Sequence, residues 1–356
     1  MPPVAWLLHL PLHLPLRLPL RVLAVDALSS SPRAVDSSPT SADWGGSEKA
    51  PYTTPEELST AAAMEAAAAK TDVAFALALG DNFYSHGVTS EFDSRFENTF
   101  EKAFPGSHLQ GDDFFRVLVG NHDHYGNVTA QVEYSNHSKR WRMDDLYYSF
   151  TETIPAEATQ TGAAQTIEVV MMDTCTICGF DHVVDPATGH HTSSAGDKLP
   201  TPVFGSPEKV SADAQVAWLN KTLMSSTADY LILAGHYPVY SICEHGPTAC
   251  LISEVKPIID AAGVQIVVAG HDHCQEYIEV GATQYHGMGS AHTNDQSTAH
   301  ADAVPKDSLK WHQAGTNGGF GMFSVGPNGL TATHYSGTGQ IVFTAPAIPS
   351  RNTATA

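Results

Sequence analysis

Positive charge is scarce in this sequence: 18 Lys and Arg stand against 38 Asp and Glu, a formal net charge of −20 at pH 7. Such a surface repels nucleic acid and anionic membranes and excludes functions that need a basic face. Cysteine is scarce as well. The five present, Cys175, Cys178, Cys243, Cys250 and Cys274, all lie in the second half, and an odd number excludes complete pairing within the chain. There is no apolar run long enough for a stable membrane span: the Leu/Pro/His/Arg alternation that follows Trp6-Leu7-Leu8 is too polar and too often broken by Pro. A repeat of fixed period is also lacking, which leaves a strand and helix cadence as the organising pattern.

What is present is enough for a large core, since 356 residues at 42% hydrophobic allow one large domain or two ordinary ones. The 19 His residues, if all protonated, would bring the charge only to about −1, so an acidic compartment suits this surface. Three sequons, at Asn127, Asn136 and Asn220, matter only in a secretory chain. Residues 1–42 read as a leader, either a signal peptide or a disordered segment. It contains a candidate first strand at 20–25 and a Ser/Pro-rich linker at 26–42.

From Asp43 the chain changes character. Thr54, Pro55 and Glu57 make a helix start, with Thr54 as N-cap, and the Ala-rich run continues it to Lys70. An amphipathic helix is expected over 91–104 with Phe92, Phe96 and Phe100 on one face. Helices are also expected from Asp213 to Met224 and from Ser253 to Ala262, the latter closed by Gly263. Residues 179–210, rich in Gly, Pro, Ser and His, read as a long covering loop. Ile167 to Met172 reads as a strand, and Phe320 to Phe343 as strands joined by the turn Gly326-Pro327-Asn328-Gly329.

Four short apolar runs share one ending. Val73 to Leu79 stops at Gly80-Asp81-Asn82-Phe83-Tyr84, and Val117 to Val119 at Gly120-Asn121-His122-Asp123-His124. Leu231 to Ala234 stops at Gly235-His236, and Ile266 to Ala269 at Gly270-His271-Asp272-His273. A buried strand that stops at Gly and then presents a carboxylate, amide or imidazole delivers that group to the C-terminal edge of a sheet, where α/β proteins hold ligands. A lone Asp in such a place is ordinarily a turn or helix cap, but that reading leaves its companions unexplained. Asp81, with two oxygens, is the natural bridge between two ions.

These motifs resemble those of the metallophosphoesterases, and among them the purple acid phosphatases of the small tartrate-resistant type. The resemblance rests on Asp43-Trp44-Gly45-Gly46, the four strand ends, Gly126-Asn127-Val128-Thr129, Ser138-Lys139-Arg140-Trp141 and Glu244-His245-Gly246-Pro247-Thr248. It implies an α/β (α+β) fold, an αββα sandwich of two mixed sheets flanked by helices, with the catalytic domain over 43–346 and a tail at 347–356. It also implies that Asp43, Asp81, Tyr84 and His273 surround Fe(III), and that Asp81, Asn121, His236 and His271 surround a divalent ion, Fe(II), Zn(II) or Mn(II). The metals against two carboxylates, a phenolate and a hydroxide leave about +1, enough to draw in a phosphate monoester. Metal-bound hydroxide would then attack phosphorus, with His122 and His245 binding substrate and protonating the leaving group. The resemblance further implies a Cys178–Cys250 disulfide and a glycan at Asn127.

Cys243 is a candidate partner for Cys175, and His86, His124, His190 and His191 read as surface or loop histidines. The expected protein is a monomeric, secreted or lysosomal/vacuolar acid phosphatase acting on small phosphate monoesters or phosphoproteins. The alternatives are a metallophosphodiesterase and a non-catalytic metal-binding relative. One departure stands out: residues 26–42 separate the candidate strand 20–25 from Asp43. Either they loop out, or 20–25 is not the strand, or the gene model retains unspliced sequence; Asp26 is the rival ligand, and Trp44-Gly45-Gly46 favours Asp43.

Overall fold

A computed structural model describes residues 35–156, 159, 162–179, 207–293, 295–313 and 318–352, all within the compact unit Arg33–Ala356. The strands fall in three groups along the chain. The first is β1 (Val35–Ser41), β2 (Asp72–Val73), β3 (Ala76–Leu79), β4 (Phe115–Leu118) and β5 (Trp141–Arg142). The second is β6 (Tyr148–Ile154), β7 (Gln165–Met171), β8 (Tyr230–Ala234), β9 (Ile266–Ala269), β10 (Gln275–Val280), β11 (Thr283–Met288) and β12 (Leu309–Gln313). The third, β13 (Gly319–Gly326), β14 (Gly329–Ser336) and β15 (Ile341–Thr344), returns to the first. Among the described residues these make an eight-stranded sheet ordered β15-β14-β13-β1-β3-β4-β5, with β2 beside β1. The second sheet has seven strands ordered β12-β10-β11-β9-β8-β7-β6.

The apolar runs are continuous because both faces of their strands are covered. Along β8, Tyr230, Ile232 and Ala234 enter the core between the sheets, while Leu231 and Leu233 enter a second core on the outer face. That outer core is closed by α4 (Thr174–Cys178), α5 (Pro207–Ser225), α6 (Ala249–Glu254) and α7 (Lys256–Ala262), numbered after α1 (Pro55–Ala68), α2 (Asn121–His124) and α3 (Val128–Tyr134). The result is the expected sandwich of two mixed sheets with helices outside.

Several local expectations change. The first described strand is Val35–Ser41, inside the stretch read as linker, and it lies between β13 and β3, so Asp43 follows it directly. The candidate strand at 20–25 and Asp26 fall outside the described residues, as do His190 and His191. The end of the chain is packed rather than free through Asn352: Leu330 and Ile348 exchange backbone hydrogen bonds of 2.9 and 2.8 Å, and Arg351 N–H donates to Asp229 O at 2.9 Å.

Phe92 is 75% exposed because it sits in a turn before the helix begins. The π-helical turn Phe96–Glu101 buries Phe96 and Phe100 instead. Helix α5 starts at Pro207, earlier than expected. The single helix expected from Ser253 is two, broken at Val255, because Pro257 has no N–H and crowds the preceding turn. The capping box of α1 is as read, with Thr54 Oγ1 accepting from Glu57 N at 3.1 Å and Glu57 Oε2 from Thr54 N at 3.2 Å.

Candidate metal centre

The parallel strands β1, β3 and β4 of one sheet and β8 and β9 of the other end at a shared rim. There Ala42 bridges to Ser290, and His236 Nδ1 donates to Leu79 O at 2.9 Å, tying one sheet to the other. Each strand ends abruptly, and Asp43, Asp81 and His271 adopt left-handed φ of 49, 50 and 69°. Non-glycine residues hold that conformation only where the surroundings impose it. Two glycines are dictated by close approach. A Cβ on Gly120 would lie 2.2 Å from Asp81 Oδ1, and one on Gly80, itself at φ +89°, would lie 2.8 Å from His236 Nδ1.

Two groups of donors converge here. In one, Tyr84 Oη is 3.3 Å from Asp43 Oδ1 and 3.0 Å from His273 Nε2, which is 3.7 Å from Asp43 Oδ1. In the other, His236 Nε2 is 3.0 Å from Asn121 Oδ1 and 3.4 Å from Asp81 Oδ1. Donors bound to one cation at about 2.1 Å sit roughly 3 Å from each other, so this spacing fits coordination. Ligand atoms of Asp43, Asp81 and His236 all lie within 4.8 Å of one another, which joins the two groups. His271 enters through its ring, 5.1 Å from that of His236 and stacked on His245 at 4.1 Å.

Electrostatics make the same case. Asp43 is 0% and Asp81 2% exposed, and their partners are histidines, a tyrosine and backbone amides rather than Lys or Arg. Burial drives the Asp43 carboxyl well above its usual range. For Asp81 burial acts the same way, but the neighbouring His236 and His122 charges outweigh it and hold the carboxyl low. Burial would lower His236, yet the Asp81 charge raises it to about 9. Burial brings His273 down to about 3, so its ring is a neutral donor, and it pushes the Tyr84 phenol well above 10.0. Protons on Asp43 and His236 thus do the neutralising that two cations would otherwise do. The residues fit such a pair.

All seven ligand candidates, Asp43, Asp81, Tyr84, Asn121, His236, His271 and His273, therefore meet at this rim, with His122 and His245 beside it. His122 Nδ1 donates to Ser85 O at 2.8 Å and its ring packs on Tyr84 at 4.5 Å. The backbone N–H groups of His245 and Gly246 donate to Asp272 at 2.7 and 3.1 Å.

Sequence reasoning missed the groups behind this site. Asp123 accepts from Gly120 N, Asn82 N and Gln131 Nε2 at 2.8 to 3.1 Å and locks two ligand loops together. Arg95 donates to Tyr84 O at 2.8 Å and Gly45 O at 2.6 Å, joining the loops of Tyr84 and Asp43. Asp123 and Asp272 lay inside motifs already noticed, and only their backbone partners reveal their work. Nor is His124 a surface residue: its Nε2 meets both carboxylate oxygens of buried Asp173 at 3.1 Å.

Cys178–Cys250 is bonded as the resemblance implied, whereas Cys243 pairs with Cys274, not Cys175. Cys175 is a buried free thiol. The strand end after His273 brings Cys274 against the 241–245 segment, a proximity that spacing along the chain does not disclose.

The sequence profile of the calcineurin-like phosphoesterases matches residues 54–275, which spans the ends of β3, β4, β8 and β9 and begins after Asp43. The chain belongs to that family. Within it, this phosphoesterase is 36% identical over 304 residues to rabbit (Oryctolagus cuniculus) tartrate-resistant acid phosphatase type 5, covering 85% of this chain and 87% of the relative. Identity to the human (Homo sapiens) protein of the same name is 34% over 304 residues, at 85% and 87% coverage. Among solved structures, GAP50, the anchor in the inner membrane complex of Plasmodium, superposes at a TM-score of 0.71 with 17% identity. The match covers 89% of this phosphoesterase and 90% of that chain, and at this identity it speaks to the fold alone. The phosphatase relatives imply a dinuclear metal centre in this phosphoesterase, in keeping with the paired donor groups at the rim.

Proposed function

We propose that this phosphoesterase is an acid phosphatase of phosphate monoesters, with Fe(III) held by Asp43, Asp81, Tyr84 and His273 and a divalent ion, Fe(II), Zn(II) or Mn(II), by Asp81, Asn121, His236 and His271. The observation that carries the reading is the convergence of two buried carboxylates, a phenol, an amide and three imidazoles on one rim without a Lys or Arg partner. Bound there, the metal pair supplies Lewis acidity toward phosphoryl oxygens and activates water.

The protein's own groups do the rest. His122 commits Nδ1–H to Ser85 O, so it meets a phosphoryl oxygen by donating Nε2–H as the imidazolium. His245, stacked on His271 and fixed through its backbone to Asp272, holds a proton for the departing alkoxide. Asp123 and Arg95 keep the ligand loops in register, so little reorganisation accompanies substrate binding.

Two disulfides accord with an oxidising lumen or secretion, and among the described residues no helix is long and apolar enough to cross a membrane. Asn127 is exposed at the start of α3, where its Oδ1 accepts from Ala130 N at 3.2 Å, and it is the proposed glycan site. Small phosphate esters and phosphoproteins are the proposed substrates. Metal analysis with parallel monoester and diester assays tests the whole reading, and Asp81→Asn is expected to lose both ions and nearly all turnover. A protein that hydrolyses diesters in preference, or an Asp81→Asn variant with full metal content, would overturn it.

A further inference from the structure

The segment Ser290–Thr293, just after β11, touches three of the four groups assigned above to iron. Ser290 is fully buried; its Oγ donates to Asp43 O at 3.0 Å and accepts from the N–H groups of His292 and Thr293 at 3.0 and 3.2 Å. Ala291 N–H donates to Ala42 O at 3.2 Å, and Thr54 Oγ1 donates to Ala291 O at 3.4 Å, so the segment is fastened to the strand end that carries Asp43 and to the cap of α1. From this anchored backbone two side chains reach the site. The His292 ring lies 4.2 Å from that of Tyr84 at an interplanar angle of 32°, and Thr293 Oγ1 lies 2.7 Å from His273 Nδ1.

We propose that Ser290–Thr293 is a clasp that positions the iron ligands, Thr293 by fixing the tautomer of His273 and His292 by covering the phenol of Tyr84. With Nδ1–H donated to Thr293 Oγ1, the lone pair of His273 is confined to Nε2, the atom that faces Tyr84 Oη at 3.0 Å and Asp43 Oδ1 at 3.7 Å. A partner on the far nitrogen of a ligating imidazole holds ring and tautomer in the binding arrangement and raises the ligand's basicity. His292 acts on the other ligand: with His122 packed against the same ring at 4.5 Å, it leaves Tyr84 only 6% exposed. Water is thereby kept from hydrogen-bonding the phenol, and those bonds would stabilise a phenolate and raise its charge-transfer energy. Ser290 is the hinge of the device, since one hydroxyl sets the path of the backbone that aims both side chains.

The inference rests on the reading that Asp43, Tyr84 and His273 hold iron. Its test uses the purified holoenzyme, with iron retention titrated against a competing chelator and read by metal analysis and by the visible phenolate band. Thr293→Val is expected to give up iron at about 10- to 100-fold lower chelator, while Thr293→Ser, which keeps the hydroxyl, matches the parent. Thr293 is exposed, so neither change threatens folding. Ser290→Ala should weaken retention in the same direction. His292→Ala should keep its iron but move the band to shorter wavelength.

Retention by Thr293→Val equal to the parent's overturns the clasp, and an unmoved band in His292→Ala overturns the covering role. Tyr84→Phe separates the two levels of argument. A band that survives Tyr84→Phe removes the ligand assignment and the clasp with it; a band that vanishes, beside an unaffected Thr293→Val, removes the clasp alone.

Discussion

Two histidines in the core between the sheets set a pH limit on the fold. His286 on β11 and His334 on β14 face each other across the sandwich core, 2% and 0% exposed, with His286 Nδ1 3.1 Å from His334 Nε2. His286 Nε2–H donates to Gln284 Oε1 at 3.1 Å, so Nδ1 is its acceptor and His334 Nε2–H is the donor, leaving His334 Nδ1 buried without a partner. A second proton has no good place: on His334 it would point at nothing, and on His286 it would oppose the donor of His334. Burial accordingly lowers His334 from 6.5 to about 3, and burial together with His334 drives His286 down as well.

Because the folded value is below the unfolded one, the unfolded chain binds the extra proton between about pH 6.5 and 3, and stability falls as pH drops through that window. At pH 5 the His334 contribution is (6.5 − 5) × 1.36, or about 2 kcal/mol of lost stability relative to neutral pH. Urea unfolding of the parent and of His334→Gln at pH 7 and pH 5 isolates it, since the amide keeps a donor toward His286 but cannot titrate. The parent should lose about 2 kcal/mol more than the variant between the two pH values. Equal losses would refute the argument.

Other expectations follow from the geometry around the rim and the two cores. Gly120→Ala would drive a methyl into Asp81 Oδ1, and metal analysis with a monoester assay should find depleted metal and turnover down by about 100-fold or more. Arg95→Met removes the ties to Tyr84 O and Gly45 O from a side chain only 7% exposed, and should cost about 3 kcal/mol in denaturant unfolding along with the visible band. Cys250→Ser opens a disulfide spanning 72 residues and should lower stability in denaturant unfolding by about 4 kcal/mol by the chain-entropy relation, less than the loss on full reduction of the parent, which also opens Cys243–Cys274.

Much of the site was legible because the chemistry is local to strand ends. An apolar run, a glycine that permits close approach and a metal-capable side chain are adjacent in sequence, so Asp81, Asn121, His236, His271 and His273 announce themselves without any tertiary information. The capping box at Thr54 and the turn at Pro327-Asn328 are equally local, and the structure carries both.

What sequence could not determine is whatever depends on partners distant along the chain. Val35–Ser41 has no apolar alternation and includes Pro39, which lacks a backbone donor, yet it is a strand because β13 and β3 flank it and supply the ladder. Cys243 meets Cys274, and His124 meets Asp173, only because separate loops are folded against each other. Local sequence dictated which groups stand at the strand ends; the packing of two sheets face to face decided that those ends share one rim, since burial and long-range pairing act on the whole chain and leave no periodic trace in any one stretch of it.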